Sequence, residues 1–378
     1  MFFFRLIFIF FPLFLFLLVV AGFLLPVCRA YNVGRRARAG LVVALLVCYS
    51  KFAFFLVLGG NDFNPDLPCA LIWVWNWLYS GAMILACLMV VLCFVPARVK
   101  AWLLPSLAWA LAAWGVWNGV KVPHLHEIEV VCDGLPESLD GYRIVQIADI
   151  HVSSAAQRWR TEAVVAAANA ANADLAVCTG DIVDGPVALR ADDVAPLSGL
   201  KAKDGVWFVT GNHEFYGEAL WREAFDRFGF TFLRNGCVFP REGLALGGLD
   251  DEAMHRLGYA GLPEPEPSEV FSNATNGEFR VLLQHRPEYF RDNVRFHGVG
   301  LQLSGHTHGG VMPGFAQLIA LMNGGFVKGL YRHSAKDRSG WLYVSPGCGQ
   351  WAGFPIRFFD DPEVSLLVLR HPRALPIH

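Results

Sequence analysis

Apolar positions run almost unbroken through the first 120 residues, and from residue 121 onward they shorten into β-like runs separated by polar, glycine-bearing turns. Residues 6–28 carry no charge, and about 20 apolar residues suffice to cross a bilayer as a helix. A secretory signal has an apolar core of only about 7–15 residues, so the length argues for a span. The stretches 69–96 and 101–120 are equally uncharged, with Trp73, Trp75, Trp77, Trp102 and Trp117 placed where amphipathic rings favour a membrane boundary. A fourth stretch, 40–60, carries Lys51 near its middle, at an insertion cost of roughly 2.5–3.5 kcal/mol. Counting it as a span places the basic loop Arg29, Arg35, Arg36, Arg38 and the turn Arg98, Lys100 on one side, with Asp62 and Asp66 on the other. That division satisfies the positive-inside rule, and three spans would not. The pattern therefore predicts four transmembrane helices (about 6–28, 40–60, 69–96 and 101–120), with the N-terminus and everything after Val120 outside the cytoplasm. Lys51 is expected to snorkel or to face the bundle; a lipid headgroup contact is the alternative.

The remainder, 121–378, predicts strands at 126–131, 142–148, 174–179, 206–210, 244–249, 279–284, 300–304, 341–345 and 364–370, with helices at 159–171 and 218–228. Strands alternating with helices imply a layered α/β domain. Pro263, Pro265 and Pro267 mark an acidic surface loop. Residues 309–329 form a glycine-bearing insertion whose apolar middle, 315–322, is expected either to rest on a membrane interface or to form a core helix.

Composition sharpens this division. Only 17% of the 378 residues are charged, and residues 1–120 hold ten of those 64 side chains, no Glu, no His, and seven of twelve Trp. The first part carries a net +6 and the second −8, which argues against a nucleic-acid partner for the soluble domain. Nine scattered Cys form no Cys-x-x-Cys pair and read as small apolar residues.

The chemistry sits where the apolar runs stop. One ends in Asp149-Ile-His151, the next in Gly180-Asp181-Ile-Val-Asp184, and a third in Gly211-Asn212-His213-Glu214. Two more end in His285 and in Gly305-His306-Thr307-His308-Gly309-Gly310. Each alone is compatible with an Asx turn, a helix cap or a solvated loop. Five in succession, all directly after β-like runs, place carboxylates and imidazoles at the carboxyl ends of strands, where α/β sheets build their sites. His124 and His126, just past the fourth span, are expected to be surface residues, and His255, His297, His333, His371 and His378 structural or exposed.

This set of blocks resembles the signature of the calcineurin-like metallophosphoesterase superfamily over residues 142–310, and the flanks 135–147 and 343–351 resemble its bacterial membrane-attached branch. Ala148 and Val311 depart from it, standing where Ser and Gln are frequent. The resemblance implies two β-sheets flanked by helices, and two divalent ions from among Mn, Fe, Zn or Co. It assigns one ion to Asp149, His151, Asp181 and His308, and the other to Asp181, Asn212, His285 and His306, with Asp181 bridging. His213 is implied as general acid, Asp184 as a supporting or turn residue, and Glu214 as an orienting one. Carboxylate and imidazole donors suit such cations, and a pair of them activates water for attack on phosphorus. The expected protein is thus a membrane-anchored dinuclear phosphohydrolase using a metal-activated hydroxide on a phosphorylated substrate, for which membrane anchoring suggests a lipid-linked phosphate or pyrophosphate. The alternatives are a lipid-linked sugar-nucleotide pyrophosphatase, which a cytoplasmic catalytic side would favour, and a non-hydrolytic membrane sensor or transporter. The expected location is a bacterial inner or plasma membrane with the catalytic domain extracytoplasmic.

Overall fold

The computed structural model describes residues 2–51, 53, 57, 65–215, 219–256, 266–275, 277–312, 314–336 and 338–372. The chain divides into two compact units, Met1–Val120 with Ala352–Arg357, and Lys121–Trp351 with Phe358–His378.

In the first unit a helix over Phe2–Val19 continues through a π turn, Val20–Leu24, into a helix over Leu25–Ala30. The cause is local: Pro26 has no N–H to give, and the N–H of Leu25 reaches back five residues to the Val20 carbonyl. Helices follow at Arg35–Tyr49, Cys69–Val91 and Ala97–Val120. Among the described residues three helices, Phe10–Ala30, Cys69–Val91 and Ala97–Val120, are long and apolar enough to cross a membrane. Of the expected 40–60 span, residues 52, 54–56 and 58–60 lie outside the described residues. Lys51 faces the bundle: it is 2% exposed, donates to Asn76 Oδ1 and lies 5.7 Å from the centre of the Tyr79 ring.

The second unit holds eleven strands among its described residues, which we number β1 (His124–Val131), β2 (Arg143–Ile147), β3 (Leu175–Cys178), β4 (Val206–Phe208), β5 (Gly236–Arg241), β6 (Leu244–Gly248), β7 (Phe279–Leu283), β8 (Leu301–Ser304), β9 (Gly329–Ala335), β10 (Arg338–Val344) and β11 (Glu363–Arg370). They form two sheets, ordered β1-β11-β2-β3-β4 and β5-β6-β7-β8-β10-β9. Alternation along each strand decides which sheet face meets which layer. Ile144, Leu175, Val177, Leu367 and Leu369 turn inward and join Leu244, Leu246, Val281, Leu283, Leu301 and Leu303 in the core between the sheets. Their neighbours Val145, Ile147, Ala176, Cys178, Leu366 and Val368 turn outward against helices Arg158–Ala170, Val187–Val194 and Ala219–Arg227. On the other side Ala245 and Leu282 pack with Val270 and Phe271, and Leu342 and Val344 with Phe290 and Val294. The result is the expected layered α/β sandwich, two sheets flanked by helices.

Two strands escaped the sequence pattern, β5 and β9, and they are the outer strands of the second sheet. β5 contains Gly236 and Pro240, and β9 carries Arg332, His333 and Ser334, so neither reads as a buried apolar run. The insertion helix runs over Phe315–Met322 and buries none of its side chains, which rules out the core-helix reading. Pro263 and Pro265, Glu218 and His378 lie outside the described residues. All nine cysteines are free thiols.

Candidate metal centre

Strands β2, β3 and β4 run parallel in one sheet, and β6, β7 and β8 run parallel in the other. Their carboxyl ends release the loops that carry Asp149 and His151, Asp181 and Asp184, Asn212 and His213, Asp250 and Asp251, His285, and His306 and His308. Asp149, His151, Asp181, His306 and His308 all have left-handed backbones, with φ of 51°, 47°, 53°, 73° and 48°. For residues other than glycine such conformations cost about 1–3 kcal/mol each, and they cluster at functional sites. Val311, a β-branched residue at φ 62°, extends the strain past the Gly309-Gly310 pair.

The strained loops bring the expected donors together. Asp149, His151 and His308 present ligand atoms within 4.8 Å of one another, as do Asp181, His285 and His306. Asp181 Oδ2 stands between the groups, 3.2 Å from His285 Nε2 and 3.7 Å from His151 Nε2. His151 Nε2 and His308 Nε2 face each other at 3.0 Å, and His308 Nε2 lies 3.7 Å from Asp149 Oδ1. His151 directs its other nitrogen, Nδ1, at Asp184, 3.1 Å away, so its Nε2 is the lone-pair nitrogen. Two imidazole nitrogens and buried carboxylate oxygens converging at these distances form the mixed donor set that borderline divalent cations take. The donor set therefore suits metal ions.

Other groups set these donors in place. Asp184 accepts from both His151 Nδ1 and His213 Nδ1, the latter at 2.5 Å. Glu214, buried, accepts the N–H groups of Gly211 and Asp181 at Oε2 and of Ile182 at Oε1, tying two of the loops together. His285 Nδ1 donates to the Thr179 carbonyl at 2.7 Å, which turns Nε2 toward Asp181. The backbone N–H of His306 donates to Asp149, and that of His213 to Asp181 Oδ1. Two glycines make the packing possible. A Cβ on Gly211 would overlap the Asp181 carboxylate, and one on Gly349 would overlap the Ile150 carbonyl between Asp149 and His151.

Burial and charge pull the site's proton affinities apart. Burial raises Asp149 to about 6 despite the nearby imidazoles of His285 and His151. At Asp181 burial acts in the same direction, but His285 and His213 outweigh it and hold the carboxyl well below its usual range. Burial opposes charge on His213 and His285, yet Asp181, joined by Asp184 and Asp149 respectively, lifts them to about 9 and about 10. His306 is depressed by burial and by the Arg286 guanidinium. Protons on His285 and His213 balance the carboxylates, and a cation bound there would compete with the proton on His285.

Arg286 is the functional candidate that the motifs do not reveal. Its Nε donates to Asp251 Oδ2 at 2.7 Å, Nη2 donates to Asn212 Oδ1 at 3.2 Å, and Nη1 lies 3.1 Å from His306 Nε2. Its only sequence signal is adjacency to His285.

Residues 142–310 match the family model described as "Calcineurin-like phosphoesterase". The "Uncharacterized metallophosphoesterase YkuE" of Bacillus subtilis (strain 168) is 30% identical over 70% of this chain and 93% of its own length. This chain belongs to the metallophosphoesterase family. The metallophosphoesterase is also 32% identical to the "Transmembrane protein with metallophosphoesterase domain" of Danio rerio, over 69% of this chain and 60% of that protein. An "Uncharacterized metallophosphoesterase" of Helicobacter pylori (strain ATCC 700392 / 26695) is 32% identical over 68% of this chain and 66% of its own. The metallophosphoesterase thus spans somewhat under two thirds of the length of these last two relatives.

Proposed function

We propose that this chain is a membrane-anchored phosphohydrolase that works with two divalent ions on a lipid-linked phosphate or pyrophosphate. The observation that carries the hydrolytic reading is the position of Asp181 between the Asp149, His151, His308 group and the His285, His306 group. Asp149, His151, Asp181 and His308 would hold one ion, and Asp181, Asn212, His285 and His306 the other. Bound there, the ions supply a water nucleophile at neutral pH and charge neutralisation for the phosphoryl group.

The chain's own residues do the rest. Asp184 accepts from His213 Nδ1, which orients the ring and stabilises an imidazolium, the form in which His213 would act as an acid. Its Nε2 lies 4.0 Å from Asp181 Oδ2, beside the residues that would hold the ions. From that position it would give a proton to the departing oxygen as the phosphorus–oxygen bond breaks. Arg286 adds a fixed positive charge where phosphoryl oxygens gather.

The lipid-linked reading is supported by the helix Phe315–Met322. It opens shortly after the His308–Gly310 turn and leaves Leu318, Leu321 and Met322 exposed, Leu321 by 83%. Apolar side chains at the rim of a phosphate site suit a substrate with an acyl or prenyl tail. Four N-terminal helices would hold the catalytic domain on the extracytoplasmic face, concentrating it on membrane-borne substrates. Phosphate release from membrane lipid extracts by the full chain in detergent tests this. Wild type should release phosphate, and Leu321→Asp should lose at least about tenfold of that release while keeping turnover of a soluble aryl phosphate. Release confined to water-soluble phosphates would contradict the lipid-linked reading.

A further inference from the structure

We infer that the catalytic domain carries an additional divalent-cation site, built by His124, His126 and Glu363 and separate from the centre described above. His124 and His126 alternate onto one face of β1, and β11 pairs with β1 in parallel so that Glu363 stands beside His124 and Ser365 beside His126. The three side chains present ligand atoms within 4.8 Å of one another. His126 Nδ1 lies 3.0 Å from Glu363 Oε2, and the two imidazoles stack with 6.2 Å between ring centres. Donors on one tetrahedral dication, with bonds of about 2.0–2.2 Å, stand about 3.4 Å apart, a spacing close to that of these three donor atoms, which all lie within 4.8 Å of one another.

The carboxylate is prepared as a ligand. Its Oε1 accepts from Tyr343 Oη and from Ser365 Oγ, the latter at 2.7 Å, which leaves Oε2 directed at His126. Hydrogen bonds of this kind fix the orientation and basicity of metal-bound carboxylates. Exposure is divided usefully: the Glu363 side chain is 7% exposed and that of His126 is 50%, so an ion would sit on a rigid buried anchor and keep an open position toward solvent. Two imidazoles and one carboxylate select borderline dications, Zn²⁺, Ni²⁺ or Cu²⁺, over Mg²⁺ or Ca²⁺. An ion there would clip β1, an outer strand, to β11, inside the sheet.

Equilibrium dialysis of the full chain in detergent against Zn²⁺ tests the site. The doubly substituted His124→Gln, His126→Gln chain should bind one Zn²⁺ fewer per chain than wild type. Glu363→Gln should weaken that same ion at least about tenfold. Turnover of a soluble aryl phosphate and the unfolding midpoint without Zn²⁺ should stay at wild-type values in the double variant, because both imidazoles lie at the surface. Equal Zn²⁺ binding by wild type and double variant would overturn the proposal and leave the trio an ion pair with a neighbouring imidazole. Reading the difference between two chains keeps the result independent of how many ions the catalytic centre holds.

Discussion

Asp184 grips two histidines at once, and its behaviour shows how a residue outside the proposed ligand set shapes the site. Buried beside His151 and His213, it is held well below the usual carboxylate range, since the two imidazoles outweigh the burial that opposes its charge. His213 moves the other way, up to about 9 from an unfolded value near 6.5. A histidine raised on folding contributes stability that is complete below about pH 6.5 and is lost as pH climbs through about 9. The metal-stripped protein should therefore melt at lower temperature at about pH 10 than at about pH 6, and Asp184→Asn should remove part of that dependence, on the order of 1 kcal/mol, the rest coming from Asp181. Thermal unfolding at the two pH values checks it; an equal slope in the variant would deny the coupling. At this scale the sequence names the donors well, because Asp, Asn and His stand in short blocks at the ends of apolar runs. It conceals Arg286 and its partner Asp251, which meet only when β6 and β7 lie side by side.

Strand ends are the elements that matter most, and they are held by close approach. The backbone at Gly349 passes so near the Ile150 carbonyl that Gly349→Ala must displace the mouth of β2, and with it Asp149 and His151. Crowding of this kind costs about 1–3 kcal/mol. We expect Gly349→Ala to fold, to bind less metal and to lose at least about tenfold in turnover, as metal analysis and a soluble aryl phosphate assay would reveal; wild-type metal content and turnover would contradict it. Strands buried on both faces, such as β2, β3 and β8, were legible as apolar runs. The outer strands β5 and β9 were not, because partial exposure admits the proline, glycine and charge that strand patterns exclude. The helix Phe315–Met322 shows the converse limit: an apolar pattern identified the helix but did not reveal that none of its side chains is fully buried and that Leu318, Leu321 and Met322 stay exposed.

Over the whole molecule, charge is partitioned between a basic, charge-poor N-terminal part and an acidic C-terminal part that holds all twelve histidines. The division into two units follows the same line except for Ala352–Arg357, a short stretch that groups with the helices and that no local pattern could assign to them. If the basic loops face the cytoplasm, as the positive-inside rule requires of four spans, an enzymatic reporter fused after the last residue should be active only outside the cytoplasm. Activity inside would reverse the topology and favour cytoplasmic substrates. The acidity of the C-terminal part disfavours phosphate unless Asp149 and Asp181 are counted as donors to cations. Their burial at 0% and 2% exposure is costly for free carboxylates and becomes favourable around divalent ions.

The most direct measurement is Mn²⁺-supplemented hydrolysis of an aryl phosphodiester by the purified full chain, beside Asp181→Ala and His213→Ala. Chelation should abolish wild-type turnover and Mn²⁺ should restore it. Asp181→Ala should lose metal and about a thousandfold or more in rate, whereas His213→Ala should keep its metal and lose about a hundredfold or more. Turnover at the wild-type rate in Asp181→Ala would contradict the two-ion phosphohydrolase.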